Sequence, residues 1–513
     1  DEGPEASFSL MNDVQAGLGA FIATISTFLL IQQSKHEHNT AAENYEGRKT
    51  SEPPPPSSED QQALKNETRL SSRGLKAKAP ILSYFPLFMQ CLEDPASMEN
   101  QSGKIALCVA ENKLLQGRLS ERFKQAAARA FDRKECWEYN DMSGLADMKE
   151  AFAALYTRLF SPTHPVSASH LSVGAGAASI LNNVFSLCCE SGAGVLVPAP
   201  YYAAFENDMK VVAGLVPVPT YCADPLSGPT PEDLEAAFEV ASRTRQVSML
   251  LLTNPHNPLG VVYSAETISA CVDWARKKGM HVVVDEIYAM SVHQPGSTFR
   301  SALDVLGGKL GDDVHIVWAM SKDFGSSGLR AGILLSHNAH LKKAMENVSV
   351  FSGVSHPMQL MIADVLSDDA WVDSYLAESN KLLNKCYDIV TCALSDMELP
   401  YSPAVGGMFV YCDMSSLLPE ATWEGEEALA SLIFDQAGIV LTPGQAQRDA
   451  KPGKFRICMA WNSIEVLDMA MERLESVVDS IRDRGWVDLD MEERDDRTEG
   501  GVRRRGASWI GNE

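Results

Sequence analysis

Between Val314 and Gly332 the chain sets an amine, a small-residue loop and a guanidinium in close succession. An apolar run from Val314 to Met320 ends in Ser321-Lys322-Asp323-Phe324-Gly325, and Arg330 follows eight residues after the lysine. An aldehyde-bearing cofactor held as a Schiff base needs a lysine on a firm mount and a fixed cation near its phosphate. Other reactive side chains sit at the ends of apolar runs. Gly174-Ala175-Gly176-Ala177 follows the short run Leu171 to Val173 and offers backbone N–H groups to a phosphate. Tyr202 presents a ring for stacking. Asp285 closes the run His281 to Val284 and suits a protonated pyridine nitrogen. Asn257 and Tyr288 can hydrogen-bond a phenolic oxygen, and Arg456 can clamp a carboxylate with two N–H groups. Singly, each has an ordinary reading: a solvated lysine, a helix-capping aspartate, a tight turn, a core tyrosine. Together, in this order, they point to one site.

The elements that position these residues alternate. Strand-like runs cover Gly194 to Pro198, Val211 to Val218, Ser248 to Thr253, His281 to Val284 and Ala331 to Leu335, as well as the run into Lys322. Helical periodicity covers Ile180 to Cys189, Pro231 to Ala241 and Ala265 to Lys278. A further helix starts after Gly144, with Leu145, Met148, Phe152 and Leu155 on one face. This alternation predicts a mostly parallel α/β sheet covered on both faces. Ligands then collect at the carboxyl ends of the strands, where the candidates lie. The last third is more helical, with periodic runs over Met358 to Leu394 and Val466 to Ile481. Strand-like stretches at Gly406 to Cys412 and Phe455 to Met459 predict a smaller α+β domain.

At 513 residues the chain has room for two or three domains. Lys and Arg number 44 against 68 Asp and Glu, so the formal charge of −24 argues against nucleic acid as a partner. Eleven cysteines without CxxC or metal-like spacing predict reduced thiols and no metal site, with Cys188 and Cys189 inside an apolar helix. Residues 14–34 carry no charge and are long enough to span a bilayer, although Gly17, Gly19 and several polar residues dilute them. A membrane tether and a plain extension are both open here. Asp1, Glu2 and Glu5 ahead of this stretch argue against a secretion signal. Residues 35–75, with Pro53 to Pro56, read as a linker, and residues 486–513 as a disordered charged tail.

The motif series resembles the fold-type I pyridoxal 5′-phosphate (PLP) enzymes of aminotransferase class I/II, in particular the ACC synthase-like branch (ACC is 1-aminocyclopropane-1-carboxylate). The stretches are Glu111-Asn112, Pro200-Tyr201-Tyr202, Asn254 to Gly260, Asp285-Glu286-Ile287-Tyr288, Ser321-Lys322-Asp323 and Phe455-Arg456. The resemblance implies a seven-stranded, mostly parallel sheet in a large PLP-binding domain over residues 136–364. The small domain would combine 79–135 with 365–485, after an extension over 1–78. It implies Lys322 as the Schiff-base lysine and, with Tyr288, the catalytic pair; Asp285 as the ring-nitrogen partner; and Asn257 with Tyr288 on the ring oxygen. Ala175, Gly176 and Arg330 would hold phosphate, Tyr202 would stack, Arg456 would bind substrate carboxylate, and Glu111 would help position S-adenosylmethionine. Tyr139 would reach phosphate, across the interface of a homodimer. The implied activity is cytoplasmic transamination between an amino acid and a 2-oxo acid, with ACC synthase chemistry as the alternative. Two departures from plant ACC synthases stand out. Ala319 replaces a serine three residues before the lysine, and Met142 replaces the tyrosine of an Asp-Tyr-His-Gly-Leu stretch, here Asp141 to Leu145.

Three other readings compete. Gly174 to Ser179 resembles a dinucleotide turn, but that leaves Lys322 and Asp285 without a role. Asp323-Phe324-Gly325 spells a kinase triplet without the accompanying catalytic loop. A catalytically silent binding protein on the same fold is opposed by the intact Lys322, Asp285 and Arg456.

Overall fold

The computed structural model describes residues 68–78 and 82–499, with 487–499 as backbone alone. Contacts divide the chain after Ser57, and the part before that point lies outside the described residues. The stretch 14–34 is therefore also outside them. Among the described residues no helix is long and apolar enough to cross a membrane.

Among the described residues twelve strands form three sheets: β1 (Ile105–Ala106), β2 (Leu171–Gly174), β3 (Gly194–Ala199), β4 (Val216–Tyr221), β5 (Val247–Thr253), β6 (His281–Asp285), β7 (Val314–Ala319), β8 (Gly332–Ser336), β9 (Phe409–Asp413), β10 (Ile439–Val440), β11 (Thr442–Pro443) and β12 (Lys454–Cys458). Seven of them make the large sheet, in the order β2-β8-β7-β6-β5-β3-β4. All neighbours run parallel except β8, which is antiparallel to β2 and β7. β3 and β7 are buried along their whole length, and β5 and β6 nearly so. Continuous Val, Leu and Ile runs suit strands covered on both faces. Because β8 runs alone against the rest, β2, β3, β5, β6 and β7 all end at one edge. Two smaller sheets pair β1 with β10 and order β11-β12-β9.

Local chemistry sets the helix starts. Thr230 and Asp233 form a reciprocal capping box with Pro231 in the first turn, and Ser264 and Asn338 cap the helices Ala265–Lys277 and Ala339–Ser352. Three expectations change. Residues Met209–Ala213 form a π-helical turn rather than the start of a strand, and Gly214, at φ 68°, ends it before β4 begins. The periodic run from Met358 to Leu394 is two helices, His356–Leu366 and Asp369–Asp396, because the Asp368 carboxylate caps the Trp371 N–H at 3.1 Å and restarts the chain. The expected tail from 486 is helical as far as Glu499. The helix Ile464–Glu499 kinks at Gly485 and continues through a stretch without Gly or Pro. Trp486 Nε1 fixes the new direction by donating to Leu417 O at 2.9 Å. Residues 500–513 lie outside the described residues.

Candidate active site

The shared edge of the sheet opens into a cleft with a cavity volume of about 170 Å³. Tyr202, Asn257, Asp285, Tyr288, Lys322 and Arg330 line it, contributed by segments after β3, β5, β6 and β7 and just before β8.

Lys322 sits on the one-turn helix Met320–Asp323 directly after β7. Its mount is the buried Asp323, which accepts from Ser291 Oγ (2.6 Å), Trp318 Nε1 (2.8 Å) and Met290 N (3.1 Å). Gly325 lets the next loop approach the segment carrying Glu111. At φ +56° an added Cβ there would stand 1.9 Å from Asn112 O. That approach brings Ala110 O to 2.5 Å from Lys322 Nζ, which donates to it. Burial lowers the amine to about 8, the nearby Glu111 raises it, and Arg456 lowers it further. The amine is thus partly neutral near physiological pH, as a nucleophile must be.

Asp285 ends β6 and is buried. Burial pushes its carboxyl up to about 7 against the N–H of Ile287, which donates to Oδ1 at 3.2 Å. The Tyr288 hydroxyl accepts from Asn257 Nδ2 at 3.1 Å, and burial raises its phenol well above the ordinary value. Arg456, in the middle of β12, is 1% exposed. Its Nη1 donates to Asn257 Oδ1 (2.9 Å), and its Nη2 donates to Cys108 O (2.8 Å) and Thr442 Oγ1 (3.2 Å). Its Nε is buried without a partner among the described residues. Tyr202 packs edge-on against Phe205, ring centroids 5.3 Å apart.

Arg330 holds a left-handed backbone at φ 50° and lies across the start of the helix Ala177–Cys188, donating to Ala175 O (3.2 Å) and Ser327 O (3.0 Å). Gly176 permits this, since an added Cβ would be 2.7 Å from Arg330 Nη2. The expected donors at Ala175 and Gly176 are engaged elsewhere: Ala175 N–H donates to Ser352 O (2.9 Å) and Gly176 N–H to Gly174 O (2.7 Å). Ala177 and Ala178, in the first turn of that helix, line the cleft instead, where N–H groups lack intrahelical partners. Tyr139 stands outside the cleft at 94% exposure.

Four polar lining residues were not foreseen from the sequence. Ser321 and Ser327 line the cleft near Arg330, with Ser327 Oγ donating to Ser321 O at 3.2 Å, while Ala319 is buried and brings no hydroxyl. Thr253 closes β5. Asp208 adds a second carboxyl beside Asp285, and burial pushes it up to about 6. Ser321 had a signal, being next to the lysine. Asp208 had none, because it falls in a helical stretch rather than at a strand end.

An amine of lowered basicity, a buried carboxyl, a flat aromatic wall and an arginine-edged helix start fit a phosphorylated pyridine aldehyde. The Arg456 Nε without a partner fits a further anion. The aminotransferase class I and II family model matches residues 102–474, and the chain belongs to that family. Its fold is type I, and its cofactor is PLP. Among curated relatives, 1-aminocyclopropane-1-carboxylate synthase 1 of Oryza sativa subsp. indica is 33% identical over 414 residues, covering 75% of this chain and 83% of that protein. A probable inactive 1-aminocyclopropane-1-carboxylate synthase-like protein 2 of Mus musculus is 30% identical over 384 residues, 73% and 66% of the two chains. The solved Thermus thermophilus aspartate aminotransferase (single mutant) superposes with a TM-score of 0.67 at 24% identity, over 80% of this chain and 99% of that one, and shares the fold.

Proposed function

We propose that the protein transfers an amino group between an amino acid and a 2-oxo acid. One observation carries the reading: Lys322, Asp285 and Asn257 line one cleft, and Arg456 is hydrogen-bonded to Asn257. PLP, when bound, supplies the electron sink that lets a substrate α-proton leave. Asp285 pairs with the protonated ring nitrogen, and Asn257 with Tyr288 holds the ring oxygen. Tyr202 covers a ring face, and Arg330 with Ala177 and Ala178 holds the phosphate. Arg456 orients the substrate carboxylate through its two remaining N–H groups, on Nε and Nη1. Lys322 would take the proton from the substrate α-carbon and return it across the linking nitrogen, to the carbon that was the cofactor's aldehyde.

A second reading is carbon–sulfur lysis of S-adenosylmethionine to a cyclopropane amino acid. The charge of Glu111 acts on the Lys322 amine, which supports an anion near that amine for a sulfonium substrate. The similarity to the rice synthase adds to it. Ala319 and Met142 oppose it. Cofactor-loaded protein titrated with a panel of amino acids, and separately with S-adenosylmethionine, distinguishes the two. The proposal expects an amino acid to convert the cofactor to its amine form, with release of a 2-oxo acid. A cyclopropane product from S-adenosylmethionine favours the second reading, and no turnover with either defines a binding protein.

The proposal includes the two-part division of the chain, with 79–135 and 365–485 folding beside 136–364. It also includes a homodimer. Trp137, Tyr139 and Phe351 are 75%, 94% and 90% exposed, large side chains of the kind a second copy would cover. All eleven cysteines are free, which suits a reducing compartment such as the cytoplasm.

A further inference from the structure

The edge of the large sheet opposite the cleft carries a group of side chains for which amino-group transfer has no use. His281 opens β6, His315 is the second residue of β7, and Cys188 is the last residue of the helix Ala177–Cys188. His281 Nδ1 and His315 Nε2 are 3.0 Å apart, and with Cys188 Sγ all three atoms lie within 4.8 Å of one another. Two ring nitrogens at that distance share at most one proton, so one lone pair always faces the gap. The Cys188 thiol makes no hydrogen bond among the described residues.

The far side of His315 is already arranged for ligation. Its Nδ1 is 2.8 Å from Ser336 Oγ, which also accepts the Asn338 N–H at 3.2 Å. A hydroxyl oxygen has two lone pairs and can accept both N–H groups. With Ser336 Oγ as the acceptor, His315 takes the tautomer whose Nε2 lone pair faces His281 and Cys188. A hydrogen bond of this kind behind a histidine is the usual support of a metal ligand. Zinc–nitrogen bonds of about 2.0–2.1 Å and zinc–sulfur bonds of about 2.3 Å put tetrahedral ligand atoms roughly 3.3–3.6 Å apart. The observed spacing needs only small rotations of the side chains to reach that. His315 is buried, while Cys188 and His281 are partly exposed, so ion and solvent have an approach.

We propose that Cys188, His281 and His315 form a Zn²⁺ site, with Ser336 orienting His315 and water in the fourth position. Binding releases the thiol proton, and the proton between the two rings moves to the outer nitrogen of His281, so that both rings ligate as neutral imidazoles. It ties the end of one covering helix to two central strands. The site departs from the expectation of no metal, because its ligands come from three separate elements and share no sequence spacing.

The test uses full-length, cofactor-loaded, metal-stripped protein titrated with Co²⁺ as a spectroscopic probe. The expected result is one equivalent per chain, with intense tetrahedral d–d bands in the red, where the cofactor does not absorb, and a thiolate-to-metal charge-transfer band. Zn²⁺ should displace it. Cys188→Ser should abolish the charge-transfer band, His281→Ala should weaken binding at least tenfold, and Ser336→Ala should weaken it roughly 10–100-fold. Cys392→Ser, at an exposed thiol elsewhere, should change nothing. Both Cys188 and His281 are partly exposed, so circular dichroism on these two variants separates lost binding from lost folding. Octahedral cobalt alone, or tetrahedral bands that survive both Cys188→Ser and His281→Ala, would overturn the proposal.

Discussion

At the lysine end of the cleft the polar groups hold one another. Asn257 donates to Tyr288 and accepts from Arg456, Arg456 donates to two further oxygens, and Lys322 stands on an aspartate with three donors. At the arginine end Arg330 is exposed, two of the expected backbone donors are engaged elsewhere, and Tyr139 stands in solvent. The first end is preorganised by a single chain, through hydrogen bonds in a low-dielectric setting where each is strong. The second gathers a helix start, two hydroxyls and a cation, and in the proposed homodimer it would gain rigidity only when the cofactor phosphate and the second copy close it. Substitutions at the two ends should therefore differ in size and in kind.

The largest effect is expected at Asp285. Replacing it with Asn removes one partner of a buried charge pair, a loss of about 3–5 kcal/mol, or roughly 10²–10⁴-fold in kcat/KM. Cofactor content should change far less, and single-turnover kinetics beside the bound-cofactor absorbance would check both. Arg456→Lys keeps the charge and loses the fork. At about 1.5–3 kcal/mol for a charge-assisted hydrogen bond, KM for the amino acid should rise roughly 10–100-fold with cofactor affinity unchanged. The smallest effect is expected at the open end. Tyr139→Phe should weaken cofactor binding roughly 2–10-fold, one ordinary hydrogen bond, and only under conditions where the protein is dimeric. Cofactor titration across a protein dilution series reads this. An effect of Tyr139→Phe that equals that of Asp285→Asn would erase the contrast between the two ends.

The sequence made the sheet readable because its central strands are unbroken apolar runs. It made Lys322, Asp285, Tyr202, Asn257 and Tyr288 readable because each follows such a run closely. What it could not carry is contact between distant segments. That Ala175 N–H is already engaged depends on Ser352, and the environment of Lys322 depends on Ala110 and Glu111. The run from Val211 to Val218 looked like one strand because a π-turn and the first residues of a strand are equally apolar, and only Gly214 separates them. Cys188, His281 and His315 belong to the same class of omission, being neighbours in space alone.

The central claim is that the Lys322 amine, kept partly neutral by burial, takes the cofactor. The most direct measurement is the rate at which PLP adds to cofactor-free protein, followed by absorbance from pH 6 to 10 and ended with borohydride and peptide mapping. Only the neutral amine attacks, so the rate should climb about tenfold per pH unit up to about 8 and level above it, with the reduced label on the Lys322 peptide and none in Lys322→Ala. A label on another lysine, or a rate that keeps rising toward pH 10 as for an exposed amine, would contradict the account.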